Sequence, residues 1–344
     1  MFAENTHLTM MEVRLTQLVG HPVTGFYDGL KQNSSIHKLK LHCSNSNVAD
    51  NGVAHEILKV YQENKNLTEL WINNADLQNG GDRIVAATLR NSINLKHIDL
   101  HECNMTDEQL LPMADAIRGH RSLVQLYLRR NRIGRSGCDA IATLLEDPNS
   151  NLHTLGLQSN DIGNEGATIL INSLGNNTKL RKLYLNANPI DQCTGDEFTR
   201  ILCNKSNINS MYSSNHTLEQ LGLSHGVGYH LFSLLTMNEG TNKGHVAIKK
   251  ILKYHPNIDM EPLFEWNMEG DGERDLKALP YIISWFERAK EAIAGDERGG
   301  SCSIDAKKLS AIYQFARAMP LLFMPASNNI KGNENKRKMK VYKQ

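Results

Sequence analysis

The stretch from Leu123 to Ile190 decides the fold, because it repeats one phrase three times: LVQLYLRRNRIG at 123–134, LHTLGLQSNDIG at 152–163 and LRKLYLNANPID at 180–191. The shared pattern is Leu-x-x-Leu-x-Leu-x-x-Asn-x-Ile. Outward from it, the first leucines fall at Leu67, Leu95, Leu123, Leu152 and Leu180, at spacings of 28, 28, 29 and 28 residues. A period of this length marks stacked units rather than one closed core. Within a unit, Leu126 and Leu128, or Leu155 and Leu157, alternate with other positions. That is the period of a short strand buried on one side.

After each strand comes a turn position held by Asn131, Asn160 and Asn188, and earlier by Ser44, Ala75 and Cys103. A side-chain amide there can bond backbone groups that the bending chain leaves unpaired. Farther on, Val85 and Leu89, Met113 and Ile117, Ile141 and Leu145, Leu170 and Leu174, and Phe198 and Leu202 form i, i+4 pairs, one helix stripe per unit. Gly81, Gly137 and Gly166 stand four residues before such a stripe, where the chain enters the helix.

A 28-residue period with a helix in every unit resembles the ribonuclease-inhibitor-like class of leucine-rich repeats, roughly from Ile36 to Leu223. No single unit can close its own core, so neighbours must stack. Parallel strands joined through helices cross right-handed. The expected fold is therefore an α/β leucine-rich repeat solenoid: a right-handed horseshoe with parallel strands on the concave face, helices outside and an α-helical C-terminal cap.

Residues 1–35 are expected as an N-terminal cap, with GFYDGLKQN as a short helix before a first, irregular strand at IHKLKLHC. The array is expected over 36–225. Near its end, Ile208 and Met211 suggest a weak strand-like unit, with another at Leu218, Leu221 and Leu223, ten residues on and with no helix between. From 226 to 327 the chain reads as helices: YHLFSLLTMN, HVAIKKILKYH, RDLKALPYIISWFERAKEAIA with Pro280 interrupting it, and SIDAKKLSAIYQFARAM. This segment resembles C-terminal extensions of leucine-rich repeat proteins of unicellular algae, which brings no activity with it. Residues 328–344, with Lys336, Arg337, Lys338 and Lys340, form a basic end expected to lie outside the fold. It is a candidate for nuclear import.

At 344 residues, 40% apolar and 22% charged, the chain has the balance of an ordinary globular protein. A net charge of +1 gives no bulk drive toward nucleic acid or anionic membrane. Six cysteines form no C-x-x-C pair and are expected as reduced thiols. No N-terminal basic flank leads into an apolar core, and no apolar run approaches the roughly 18 residues of a membrane span. A cytoplasmic monomer is expected. The six N-x-S/T sequons, at Asn33, Asn66, Asn104, Asn176, Asn204 and Asn215, are read as structural, because several fall where a helix ends and the next strand begins.

Catalytic signatures are absent. The array resembles the sensor half of nucleotide-binding immune receptors, yet no GxxxxGK[ST] loop accompanies it. His97, Asp99 and His101 share one strand face beside Glu102, but i and i+4 in a strand lie roughly 13 Å apart, too far to share one zinc. No metal, cofactor or catalytic residue is expected, so the favoured function is a non-enzymatic scaffold for a protein partner. The alternative is a GTPase-activating protein resembling the Ran-activating class, built from repeats of this kind. That class carries an acidic C-terminal tract, whereas this chain ends basic.

The expected binding face follows from the period. Four residues past each first leucine stand Trp71, Asp99, Tyr127, Gly156 and Tyr184 in one outward column. Two further on stand Asn73, His101, Arg129, Gln158 and Asn186, with Glu102 and Arg130 beside them. Trp, Tyr and Arg dominate binding hot spots. The competing expectation is that the aromatics cover neighbouring strands.

Overall fold

The computed structural model describes residues 5–15, 24–43, 48–62, 64–78, 80–224, 231–240 and 243–254. Among these residues eight strands form one sheet in chain order, every neighbouring pair parallel. They are β1 (Met10–Arg14), β2 (Lys38–His42), β3 (Glu69–Asn73), β4 (His97–Asp99), β5 (Gln125–Tyr127), β6 (Thr154–Gly156), β7 (Lys182–Tyr184) and β8 (Gln220–Gly222). Helices α1 (Thr24–Gln32), α2 (Val48–Tyr61), α3 (Gly81–Asn91), α4 (Asp107–Ile117), α5 (Arg135–Glu146), α6 (Asn164–Ser173) and α7 (Gln192–Leu202) alternate with the strands and pack on one another in sequence. This is the expected α/β solenoid.

Its core lies between the strand wall and the helix row. The five first leucines, the inward strand positions of β1 to β7 and all five i, i+4 helix pairs are buried. Each such side chain contributes about 1.5–3 kcal/mol relative to exposure. Local signals set the ends: α4 starts at a Thr106–Gln109 capping box, and α7 at Asp191, whose carboxylate accepts from the Thr194 N–H at 3.3 Å.

The asparagine ladder is continuous. Asn131 Oδ1 accepts from the N–H groups of Cys103 (3.0 Å) and Met105 (3.1 Å), and its Nδ2 donates to the carbonyls of Leu100 (2.8 Å) and Leu128 (2.9 Å). Asn188 repeats this, accepting from Asn160 and Ile162 at 3.1 Å and donating to Leu157 at 2.8 Å and Leu185 at 2.9 Å. At Cys103 the thiol takes the place of the amide and donates to the Ile72 carbonyl at 3.1 Å. Ser44 lies outside the described residues.

The residue just before each ladder position turns left-handed: Asn74, Glu102, Arg130, Ser159 and Ala187 all have φ between 54° and 59°. For a side chain without a local hydrogen-bonding group this costs about 1–2 kcal/mol. Ala187→Gly is therefore expected to stabilise the fold by about 0.5 kcal/mol, the strain relieved less the added backbone entropy of the unfolded chain. A lowered urea midpoint for that variant would refute the strain.

Two differences from the sequence expectations follow. The strand row starts one unit earlier than IHKLKLHC: Met11, Val13 and Leu15 are buried, and β1 pairs residue for residue with β2. Leu8 stands 28 residues before Ile36, so the template was present with Met and Val in the leucine places. The segment at Ile208 and Met211 is a short helix, α8 (Ile208–Tyr212), and not a strand-like unit. Asn207 caps it by accepting from the Ser210 N–H at 2.8 Å, so a helical turn does lie between α7 and β8. In line with the structural reading of the sequons, Asn33 and Asn215 are buried. Each Oδ1 accepts two N–H groups at the entry to the next strand, Ser35 and Ile36 for the first, Thr217 and Leu218 for the second.

Beyond β8 come α9 (Leu231–Asn238), against α7, and α10 (Lys243–Tyr254), against α8 and α9. Buried Lys250 fastens α10 to the array. Its Nζ donates to the carbonyl of Leu202 at 2.6 Å, at the end of α7, and to that of Asn215 at 3.4 Å, and lies 3.2 Å from His216 Nδ1. The two later helices expected from the sequence, with Pro280, and the basic end fall in 255–344, outside the described residues. The described residues all fall in one compact unit, 1–255.

Candidate functional site

The strand register brings the expected outward column together. Trp71 stands beside Asp99, Asp99 beside Tyr127, Tyr127 beside Gly156 and Gly156 beside Tyr184. Parallel hydrogen bonding continues past the strand ends, with N–H groups of Asn74, Glu102, Arg130 and Ser159 donating to the carbonyls of His101, Arg129, Gln158 and Asn186. The second column is thereby held in order as well. Carried back one and two units, the first column reaches Lys40 and Glu12, which the sequence reading left out.

The side chains do not stand up from this wall; they lean across it. The Trp71 ring lies 4.5 Å from that of His97, and His97 lies 5.4 Å from that of Tyr127. Lys40 Nζ sits 4.4 Å from the Trp71 ring, a cation–π contact. His97 is held by Gln125, with Nδ1 and Oε1 2.7 Å apart. A Cβ on Gly156 would meet the Tyr127 ring at 2.5 Å, and one on Gly222 would collide with Asn186 and crowd the Tyr184 ring. The Tyr184 hydroxyl donates to Gln220 Oε1 at 2.9 Å. Two tyrosines thus lie over strands whose glycines leave room for them, so the aromatics do cover their neighbours. Trp71, Tyr127 and Tyr184 remain half-exposed. Gly156 and Gly222 were legible as residues, but their use depends on which way each tyrosine turns.

Charges on the face are arranged in pairs. Lys38 and Glu69 are 2.8 Å apart, and Glu102 lies 3.5 Å from both Arg130 Nη1 and His101 Nε2. Burial pushes the Asp99 carboxyl above its ordinary range, opposed by Arg129, His101 and His97. Asp99 Oδ1 and His97 Nε2 are buried without a hydrogen-bond partner. Burial, and then Arg129, lowers the pKa of His101. Arg129 is exposed, and Asn73, Gln158 and Asn186 are half-buried around it in the second column.

Among the described residues no group of three or more His, Cys, Asp and Glu side chains is placed to hold a metal. Burial raises the Cys103 thiol and pushes that of Cys138 up to about 12, so neither supplies a thiolate nucleophile near neutral pH. No described helix is long and apolar enough to cross a membrane.

No protein-family model matches the chain. It is 28% identical over 188 residues to the NACHT, LRR and PYD domains-containing protein 3 of Bos taurus, a match covering 54% of this chain and 18% of that protein. To protein 14 of the same series in Mus musculus it is 27% identical over 269 residues, covering 75% and 26%. To the ribonuclease inhibitor of Mus musculus it is 30% identical over 169 residues, covering 49% and 36%. The chain therefore matches between 18% and 36% of the length of these relatives. With the 28-residue period, the asparagine ladder and the all-parallel strand wall, these similarities show a chain built of leucine-rich repeats similar to those of ribonuclease inhibitor.

Proposed function

We propose that the chain is a non-catalytic scaffold that binds a protein partner on the concave strand face. The observation that carries this reading is the row of half-exposed aromatic rings and cations, Lys40, Trp71, Tyr127, Arg129 and Tyr184, laid across strands paired in one continuous register. A pre-organised surface of this kind loses little conformational entropy on binding. Aromatic rings and arginine are the side chains through which interfaces gain most of their affinity. The relative named ribonuclease inhibitor supports binding rather than catalysis as the use of such repeats.

The test is an affinity purification of the full chain with mass spectrometry, followed by titration of the recovered partner. Trp71→Ala, Tyr127→Ala and Arg129→Ala are each expected to weaken binding by roughly 2 kcal/mol, about thirtyfold. Folding stability should change by less than about 1 kcal/mol, since all three side chains are at least partly solvated. Gly156→Ala should weaken binding too, because its methyl group drives the Tyr127 ring off its seat. Unchanged affinity in all four variants would move the interaction site off the strand face.

A further inference from the structure

We propose that the β5–β8 half of the strand face takes an acidic segment of its protein partner, a specialisation that rests on the strand face being the interface. The distribution of carboxylates carries it. On β1 to β4 the outward positions include Glu12, Glu69 and Asp99. From β5 to β8 no outward strand position is acidic, while Lys182 stands on β7 and Arg129 and Arg130 follow β5. Of the neighbouring carboxylates, Asp99 on β4 is half-buried beside Tyr127 and feels the charge of Arg129, Glu102 lies 3.5 Å from Arg130, and Glu219, just before β8, lies 3.0 Å from Lys243 and 3.8 Å from Arg181.

Arg129 and Lys182 bracket the floor made by Tyr127 over Gly156, two strands and four residue positions apart. On a parallel sheet that diagonal is roughly 16 Å, the span of about five extended residues. An extended guest with two carboxylates four or five residues apart would reach both cations while its intervening side chains cross the tyrosine. A nucleic-acid strand is the less favoured guest, because three cations on a chain of net charge +1 are sparse for a phosphate backbone.

The experiment selects random twelve-residue peptides displayed on phage against the full chain. Synthetic versions are then titrated against the unaltered protein, the Arg129→Glu/Lys182→Glu and Arg129→Gln/Lys182→Gln double variants, and Tyr127→Ala, each checked for an unchanged melting profile. The expected result is at least twofold enrichment of Asp and Glu over the input library. Binding should weaken at least tenfold on charge reversal and by less on neutralisation. Recovery of no peptide, or of neutral or basic peptides, would overturn the acidic specificity. If such peptides lose affinity with Tyr127→Ala, the strand face stands as an interface and only its specificity falls. Acidic peptides insensitive to every variant would sink both readings. A uridine decamer that binds more tightly than the acidic peptides, and is lost on charge reversal, would reassign this half-face to nucleic acid.

Discussion

Asn160→Ala is expected to lower the unfolding free energy by about 3–5 kcal/mol, a large part of the 5–15 kcal/mol typical of a native domain. Asn160 is buried between two units. Its Oδ1 accepts from the Ile133 N–H at 3.1 Å, and its Nδ2 donates to the Leu128 and Leu157 carbonyls at 3.0 Å. Alanine leaves the Ile133 N–H without a partner in a site closed to water, at about 1–3 kcal/mol, and removes a second donor, at about 0.5–1.5 kcal/mol each, from the Leu128 and Leu157 carbonyls, which keep the amides of Asn131 and Asn188. Water entering the vacated space would recover part of that. Because stacked units are stabilised by their neighbours, the weakened joint should also loosen cooperativity between the segments on either side. Urea unfolding followed by circular dichroism checks both effects, with exposed Asn172→Ala on α6 as the control. A loss within 1 kcal/mol would show that the ladder amide is dispensable.

Lys250→Ala is expected to cost about 3–5 kcal/mol, while Lys250→Met should cost much less. The alanine variant loses the hydrogen bonds to the Leu202 and Asn215 carbonyls and leaves a cavity under α10. Methionine loses the same hydrogen bonds but refills the cavity and removes the desolvation cost of a buried charge. Burial lowers the Lys250 pKa to about 8, with the nearby Lys243 charge adding to the effect and Cys203 opposing it. The unfolded chain holds this proton to about pH 10.5. Between pH 8 and 10.5 the unfolded state therefore binds more protons, and stability should rise with pH by on the order of 3 kcal/mol.

His216 acts in the same direction at the acid end. Its pKa is lowered to about 4, first by burial and then by Lys250. Its Nε2 lies 3.1 Å from the Tyr212 carbonyl, which fixes the proton there and leaves Nδ1 as an acceptor facing Lys250. The unfolded imidazole takes a proton near pH 6.5, so stability should fall as pH drops from 6.5 through 4. A pH series of urea midpoints checks the signs. The rise above pH 8 should vanish in Lys250→Met, and its persistence there would assign it to another group.

Much of the strand face was legible because the solenoid converts sequence spacing into position. Residues four past a first leucine must share a column once the strands pair without slippage, and Trp71, Asp99, Tyr127, Gly156 and Tyr184 do. The other members of that column, Lys40 and Glu12, carry a weaker signal in sequence, because Ile36 stands in the first-leucine place of the Lys40 unit and Met11 and Val13 fill the later leucine places of the Glu12 unit. The opposite error occurred near the end. Ile208 and Met211 fit a weakened strand template, yet Asn207 offers a helix cap three residues before Ser210, and over five residues the cap prevails.

By itself the sequence determined the period, the burial of the leucine positions, the amide ladder and the columns of the strand face. All of these depend on spacing along the chain, and stacking only repeats them. The tertiary structure alone decided how side chains turn once the columns exist. Tyr127 and Tyr184 lie over neighbouring strands because Gly156 and Gly222 leave room there, a contact 29 residues or more away in sequence. It also decided that Lys250 reaches back 48 residues to the Leu202 carbonyl. In the isolated helix pattern that lysine reads as a solvated cation, because desolvation belongs to the packed neighbours and not to the residue.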